Sequence, residues 1–164
     1  DLNRPMRCCR QHGGTPAEGL TEQFVIATVD AALYSQNLVI AAESAGLGIC
    51  YIGALRNDPA KVTKLLDLPQ QVYPVFGLCL GHPAQDPEIK PRLPVSATLK
   101  TDSYSTDGED KAIAAYDEEM RTYYANRSAN LKIQGWSDQM AGLLAKEGRP
   151  HMLAFLQSQG FLTR

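Results

Sequence analysis

The apolar run from about Thr21 to Ala45 constrains this chain more than any other feature. Phe24, Ala27, Thr28, Ala31, Leu38, Ala41 and Ala42 recur at spacings of three and four. That is the period of a helix, and polar residues are so few that the pattern predicts burial on most sides. Thr21 suits the N-cap, with Glu22 in the first turn, and Gly46 supplies a left-handed stop. The run falls short of the roughly 18 uncharged apolar residues of a membrane span, so none is expected.

Two glycine-bounded segments follow. Gly48-Ile49-Cys50-Tyr51-Ile52-Gly53 and 72–81 are short and apolar, which predicts two buried strands, with Pro74 at the start of the second. Between them, Asp58 can cap a short helix that Pro59 opens, because the N–H that proline lacks would be unpaired there anyway. Residues 1–20 read as irregular, punctuated by Gly13-Gly14, Pro16 and Gly19. From 82 to 109, four prolines and then polar residues predict an extended arm. Three helices are expected beyond it: about Lys111 to Asn126, about Asp138 to Lys146 capped by Ser137, and one started by Pro150 and stopped by Gly160. Met152, Leu153, Phe155 and Leu156 form the buried stripe expected of the last. The expected organisation is a core over 1–82, an arm over 83–109 and a helical region over 110–164.

With 16 basic and 18 acidic residues among 164, the net charge is −2, which excludes a polybasic nucleic-acid binder. The four cysteines, at 8, 9, 50 and 79, lack metal-cage spacing; Cys50 and Cys79 lie in apolar runs, where a reduced thiol behaves as a small hydrophobe. Reduced structural cysteines point to the cytoplasm. No metal site is expected.

Few residues carry an obvious chemistry. Gly46-x-Gly48 follows a helix and opens a strand, the reverse of the order a dinucleotide fingerprint needs. Gly53-Ala54 is either a tight turn at a strand end or a place where backbone approaches a flat ligand. Lys90-Pro91-Arg92 is either a solvated tripeptide or a rigid two-cation fork for a phosphate. Arg127, Lys132, Lys146 and Arg149 are either solvated helix faces or receivers of an anion. With no G-x-S-x-G, H-E-x-x-H or paired carboxylates, the side chains offer no nucleophile or acid–base pair. An enzyme of this sequence needs a cofactor to carry the chemistry.

Ala41 to Gly48, then Tyr51-Ile52-Gly53-Ala54-Leu55-Arg56-Asn57, Val62 to Leu66, Phe76 to Gly81, Lys90-Pro91-Arg92-Leu93-Pro94 and Trp136-Ser137-Asp138 occur as ordered blocks. Together they resemble the oxygen-insensitive NADPH nitroreductases, in the nitroreductase A and flavin reductase P branch of the FMN-dependent nitroreductase family. The resemblance runs from about Thr21 to Arg164. It implies an α+β sandwich, with a central antiparallel-type sheet flanked by helices. It also implies a cytoplasmic homodimer that binds FMN, takes hydride from NADPH, and passes electrons to a nitroaromatic, nitrofuran or quinone in a ping-pong cycle. Under it, Tyr51, Ile52, Gly53 and Ala54 lie along the flavin, and Lys90 and Arg92 hold the FMN phosphate. Arg127 and Lys132 face the NADPH 2′-phosphate, and Lys146 and Arg149 line the substrate side.

The chain departs from the family pattern in three places. Ala54 stands where a second glycine is common. Lys132 stands where a second arginine is usual, keeping charge but losing the bidentate fork. Family members also carry an earlier segment with a His-Arg-Ser-x-Arg flavin motif, and Asp1-Leu2-Asn3-Arg4 resembles the end of its strand. The chain is therefore expected to be the C-terminal portion of such an enzyme, with weak FMN binding by itself. The alternative expectation is a truncated, non-catalytic module for dimerisation or anion binding.

Overall fold

The structure is a computed structural model that describes residues 1–128 and 130–164. Contacts divide them into two compact units, one of residues 1–84 with 149–164, the other of residues 85–148. The chain is α+β, as expected.

The first unit holds α1 (Asn3–Gln11), α2 (Thr21–Ser44), β1 (Gly48–Ile52), a 3-10 turn (Gly53–Asn57), α3 (Pro59–Leu65), β2 (Gly77–Gly81) and α7 (Met152–Ser158). β1 and β2 pair antiparallel, with Gly48 opposite Gly81 and Ile52 opposite Gly77. Asp58 caps α3 through the Lys61 N–H at 3.0 Å, and Pro59 takes the first turn, both as the sequence predicts. Gly46 (φ +76°) and Gly160 (φ +84°) are the left-handed residues just beyond α2 and α7.

The core of this unit is aromatic. Tyr73, Phe155, Leu156 and Phe161 are buried, with Phe24, Val75 and Met152 packed on them. The Phe24 and Tyr73 rings stack at 5.6 Å, and Phe161 meets Tyr73 edge-on at 5.1 Å. The Thr28 and Tyr73 hydroxyls are hydrogen-bonded. Burial pushes the Tyr73 phenol up from its ordinary value, against the opposing pull of that hydrogen bond. The C-terminal segment is sewn in through Gln71, whose N–H donates to Gln159 O at 2.8 Å and whose side-chain amide donates to Gly160 O at 3.0 Å.

Several expectations fail here, each for a physical reason. Residues 3–11 form α1, because the breaking glycines begin only at 13, and Pro5 sits in the first turn, where a missing N–H costs nothing. Asn3 and Arg4 are thus helical, not the end of a strand. The second strand begins at Gly77, not 72: Tyr73 turns into the aromatic core, Gln71 is left-handed (φ +63°) and Pro74 has no N–H to donate. Leu20, not Thr21, holds the N-cap of α2, without a side-chain bond.

α2 buries only Ala27, Ser35, Val39 and Ala42, while Val25, Ile26, Val29, Leu33, Tyr34 and Ile40 are exposed. Its apolar residues run almost all the way round, and this unit covers a single stripe of them. With a mean hydropathy of 1.4 over its most apolar window, α2 is long and apolar enough to cross a membrane by length and composition, as the core helices of folded domains can also be, but Asp30 and Glu43 leave it without a run of about 18 uncharged residues. Cys50 and Cys79 are register partners on β1 and β2, and both are exposed rather than buried. Leu153 is likewise exposed, so the buried stripe of α7 narrows to Phe155 and Leu156.

The second unit holds α4 (Val95–Thr98), α5 (Glu109–Asn126) and α6 (Trp136–Leu144). Tyr116, Met120 and Tyr124 on α5 form its core, with Leu93, Tyr123 and Trp136 against them. Tyr116 also donates to Pro91 O at 3.0 Å, which ties the proline-rich stretch to the helix. The N-cap of α6 is Gly135, not Ser137. Asp138 reaches back to the Gly135 N–H at 2.9 Å, and Asp117 accepts from the Ser137 N–H at 2.8 Å. A Cβ at Gly135 would stand 2.8 Å from the Asp117 carboxylate, so that close approach requires glycine. The Ser137 N–H is the main reason that the Asp117 carboxyl lies below its ordinary value.

Candidate functional site

In the first unit, β1 delivers Tyr51 and Ile52 directly into the 3-10 turn that starts at Gly53. The Tyr51 ring meets Phe76 edge-on at 5.1 Å, and its hydroxyl lies 3.1 Å from that of Ser35 on α2. These two contacts orient the Tyr51 ring, which remains 41% exposed, so residues 51–54 can offer a ligand both backbone and the open side of that ring. Arg56 folds back under the turn and donates to Val75 O. A Cβ on Gly53 would come within 3.1 Å of the Arg56 guanidinium, so a small residue is favoured there. Ala54 is exposed.

Arg149 comes to the same turn from far along the chain. Its Nε donates to Asn57 Oδ1 at 2.9 Å, and its backbone is left-handed (φ +56°). Two residues on, His151 Nε2 lies 2.9 Å from Arg56 O and must be the donor, since a carbonyl only accepts. Asn57, Arg56 and His151 had no local signal in the sequence, because each pairing spans more than ninety residues.

In the second unit, three cations converge on one ring. Lys90 Nζ, Arg127 Cζ and Lys132 Nζ lie 5.7, 5.7 and 5.8 Å from the centroid of Tyr124, and Arg127 also covers Tyr123 at 5.6 Å. Cation–π attraction at these distances holds like charges together that would otherwise separate. The buried Arg127 Nε has no hydrogen-bond partner among the described residues. Glu88 accepts from the Ser128 N–H at 3.0 Å. Hydrogen bonds from its own and the Ser128 N–H hold the Glu88 carboxyl below its ordinary value, with a smaller contribution from Arg127. The structure thus groups Lys90 with Arg127 and Lys132. Arg92 and Lys146 are exposed, and Arg92 takes no part in these ring contacts. Tyr123-Tyr124, one turn before Arg127, is a sequence signal for a cation–π contact with Arg127, but not for the arrival of Lys90 and Lys132. Among the described residues, no group of His, Cys, Asp and Glu could hold a metal.

Comparison with known proteins places these features. Residues 17–82 match the model of the Nitroreductase family, and residues 90–164 match that of the Nitroreductase family, C-terminal domain. The chain is 44% identical over 164 residues to an oxygen-insensitive NADPH nitroreductase of Salmonella typhimurium, covering all of this chain and 66% of that protein. It is 46% identical over 140 residues to a Cr(VI) reductase of a Pseudomonas species, covering 85% of this chain and 58% of that one. The chain therefore spans about three fifths to two thirds of the length of such relatives. Among solved structures, NfrA1 of B. megaterium superposes with a TM-score of 0.93 at 40% identity, over 99% of this chain and 68% of that one. The NADPH:FMN oxidoreductase of Vibrio harveyi, solved with NAD+, gives a TM-score of 0.83 at 40% identity, over 97% and 64%. Two adjoining family models and relatives of this similarity agree: the chain belongs to the nitroreductase family.

Proposed function

We propose that the protein is an FMN-dependent oxidoreductase that uses NADPH to reduce nitroaromatics, nitrofurans or quinones, and that it works as a cytoplasmic homodimer. The observation that carries this reading is the cluster of Lys90, Arg127 and Lys132 over Tyr124, with a buried Arg127 Nε left unpaired among the described residues. The gathered charge and the guanidinium N–H suit anionic phosphates, with Arg127 and Lys132 turned to one and Lys90 to another. Relatives carry matching names: an NADPH-flavin oxidoreductase in Vibrio harveyi and an FMN reductase (NADPH) in Bacillus subtilis.

In this reading, Arg127 and Lys132 take the NADPH 2′-phosphate, and Lys90 and Arg92 take the FMN phosphate. The backbone of Tyr51, Ile52, Gly53 and Ala54 lies along the flavin, with Arg56 packed behind Gly53. FMN, when bound, supplies the hydride-accepting and hydride-donating chemistry. The chain's own work is to bind and orient: Lys146 and Arg149 line the substrate side, and no side chain acts as acid or base. The exposed apolar stripe of α2, with Val25, Val29 and Leu33, supports burial against a second copy.

The test is purification of the full-length protein, followed by colour and NADPH-driven reduction of nitrofurazone. A yellow, active enzyme is expected; a colourless, inactive one sinks the reading. The exposed α2 stripe equally supports a second reading, a dimerising anion-binding module without flavin. Light scattering combined with FMN titration separates them, because a stable dimer that takes up no flavin favours the module.

A further inference from the structure

Arg149 is an unusual residue on backbone grounds. A side chain with a Cβ is strained in the left-handed region, so φ +56° must be held by its surroundings. Two bonds supply the hold. Arg149 Nε donates to Asn57 Oδ1 at 2.9 Å, and His151 Nε2 donates to Arg56 O at 2.9 Å. They run side by side from residues 149 and 151 to residues 57 and 56, so the segment before α7 is pinned to the end of the 3-10 turn. The Met152 N–H also donates to Arg149 O at 3.1 Å, which anchors the strained residue to the start of α7.

We propose that Asn57 is a positioning residue for Arg149. One of the five guanidinium N–H groups is spent on Asn57, which fixes the plane of the fork and leaves the other four for a ligand. The choice of an amide matters. A carboxylate at 57 would neutralise the guanidinium, whereas the Asn57 carbonyl orients it and leaves its charge uncompensated. That arrangement suits the partly negative oxygens of a nitro group or quinone. The inference rests on the reading of the protein as a nitro- or quinone-reducing enzyme, but its structural half stands apart from it.

The test compares the full-length protein with Asn57→Ala, Asn57→Asp and Arg149→Ala. Its first readout needs no flavin: the 15N-resolved Arg149 Nε–H signal and its protection from solvent exchange. Protection is expected in the wild type and in Asn57→Asp, and is expected to vanish in Asn57→Ala. Should Asn57→Ala fold poorly, Asn57→Ser, which is too short to reach, replaces it. In turnover, Asn57→Ala is expected to raise KM for the nitro substrate about tenfold, as for loss of a hydrogen bond to a charged group, with kcat little changed. The double variant Asn57→Ala with Arg149→Ala should be no worse than Arg149→Ala alone. A protected Nε–H that survives Asn57→Ala overturns the proposal, and so do additive losses in the double variant. A wild type that reduces nothing would instead sink the enzymatic reading, leaving the exchange measurement to decide the role of Asn57.

Discussion

In the first unit, Arg149 is held by Asn57, 92 residues away, through a single directed hydrogen bond and a strained backbone. In the second, Lys90, Arg127 and Lys132 lie over a tyrosine ring near the end of α5, and the buried Arg127 Nε has no partner among the described residues. The first arrangement fixes a direction, which suits a small ligand that must be oriented. The second gathers charge with loose angular demands, which suits a phosphate that every nucleotide carries. The cores differ in the same sense. Phe24, Tyr73 and Phe161 join three distant segments, whereas Tyr116, Met120 and Tyr124 are successive turns of one helix.

The largest expected effects test whether the two units are separate in stability. Phe161 is 1% exposed and Met120 fully buried. Truncating each to alanine should cost about 3–5 and about 2–5 kcal/mol respectively, from lost burial and the cavity left behind. Amide hydrogen exchange should show Phe161→Ala loosening residues 1–84 and 149–164, and Met120→Ala loosening 85–148. Equal loosening of both units by either variant would break the comparison.

Next in size is Arg127→Ala. It removes the one cation among the described residues that covers both Tyr123 and Tyr124. Loss of a charge-assisted phosphate contact is worth about 1.5–3 kcal/mol, so the Kd for NADPH should rise about ten- to hundredfold. Isothermal titration checks it. An unchanged affinity would show that the cluster is packing and not a site.

How much of this was legible follows the same division. Asp58-Pro59 at the start of α3, Gly46 after α2 and Gly160 after α7 are local signals, and each acts where the sequence places it. Lys90, Arg127 and Lys132 were legible as cations, but their convergence on Tyr124 was not, because residues 90 and 124 meet only after the proline-rich stretch folds onto α5. Asn57 was invisible, since nothing near it hints at a partner ninety residues on. The period of α1 lies in its polar face, Arg4, Arg7 and Arg10 at spacings of three, while its only buried residue is Met6, so a reading of apolar periodicity passes over it. The burial expected of α2, Cys50 and Cys79 failed for one reason: composition reports that a surface is apolar, not what covers it.

The two units should also respond to opposite ends of the pH scale. Asp117 and Glu88, both in the second unit, have carboxyls held below their ordinary values by backbone N–H groups. A depressed carboxyl contributes stability that is full above its unfolded value, about 4, and is lost as pH falls through the folded value. Asp117→Asn should flatten that acid limb. Tyr73, in the first unit, is raised by burial. The unfolded phenol ionises near pH 10 while the folded one stays neutral, so its contribution declines as pH rises past that point. Tyr73→Phe should remove that alkaline decline. Exchange protection followed against pH in both units measures the two limbs, and a single shared limb would contradict the assignment.

The smallest effect is the sharpest probe of how the second unit reads its ligand. Lys132 Nζ is one of three cations on the Tyr124 ring, and an ammonium meets a phosphate as a point charge. Lys132→Arg keeps the charge and adds a planar fork. If the cluster recognises only charge, NADPH affinity should not move. If it recognises the tetrahedral 2′-phosphate, the fork adds a second hydrogen bond of about 0.5–1 kcal/mol, and KM for NADPH should fall about two- to fivefold with KM for NADH unchanged. The NADPH-to-NADH ratio is the deciding measurement, because a general gain in anion affinity would move both cofactors together. A selective gain would mean that the looser of the two arrangements can be made directional by one residue, the property that Asn57 gives Arg149.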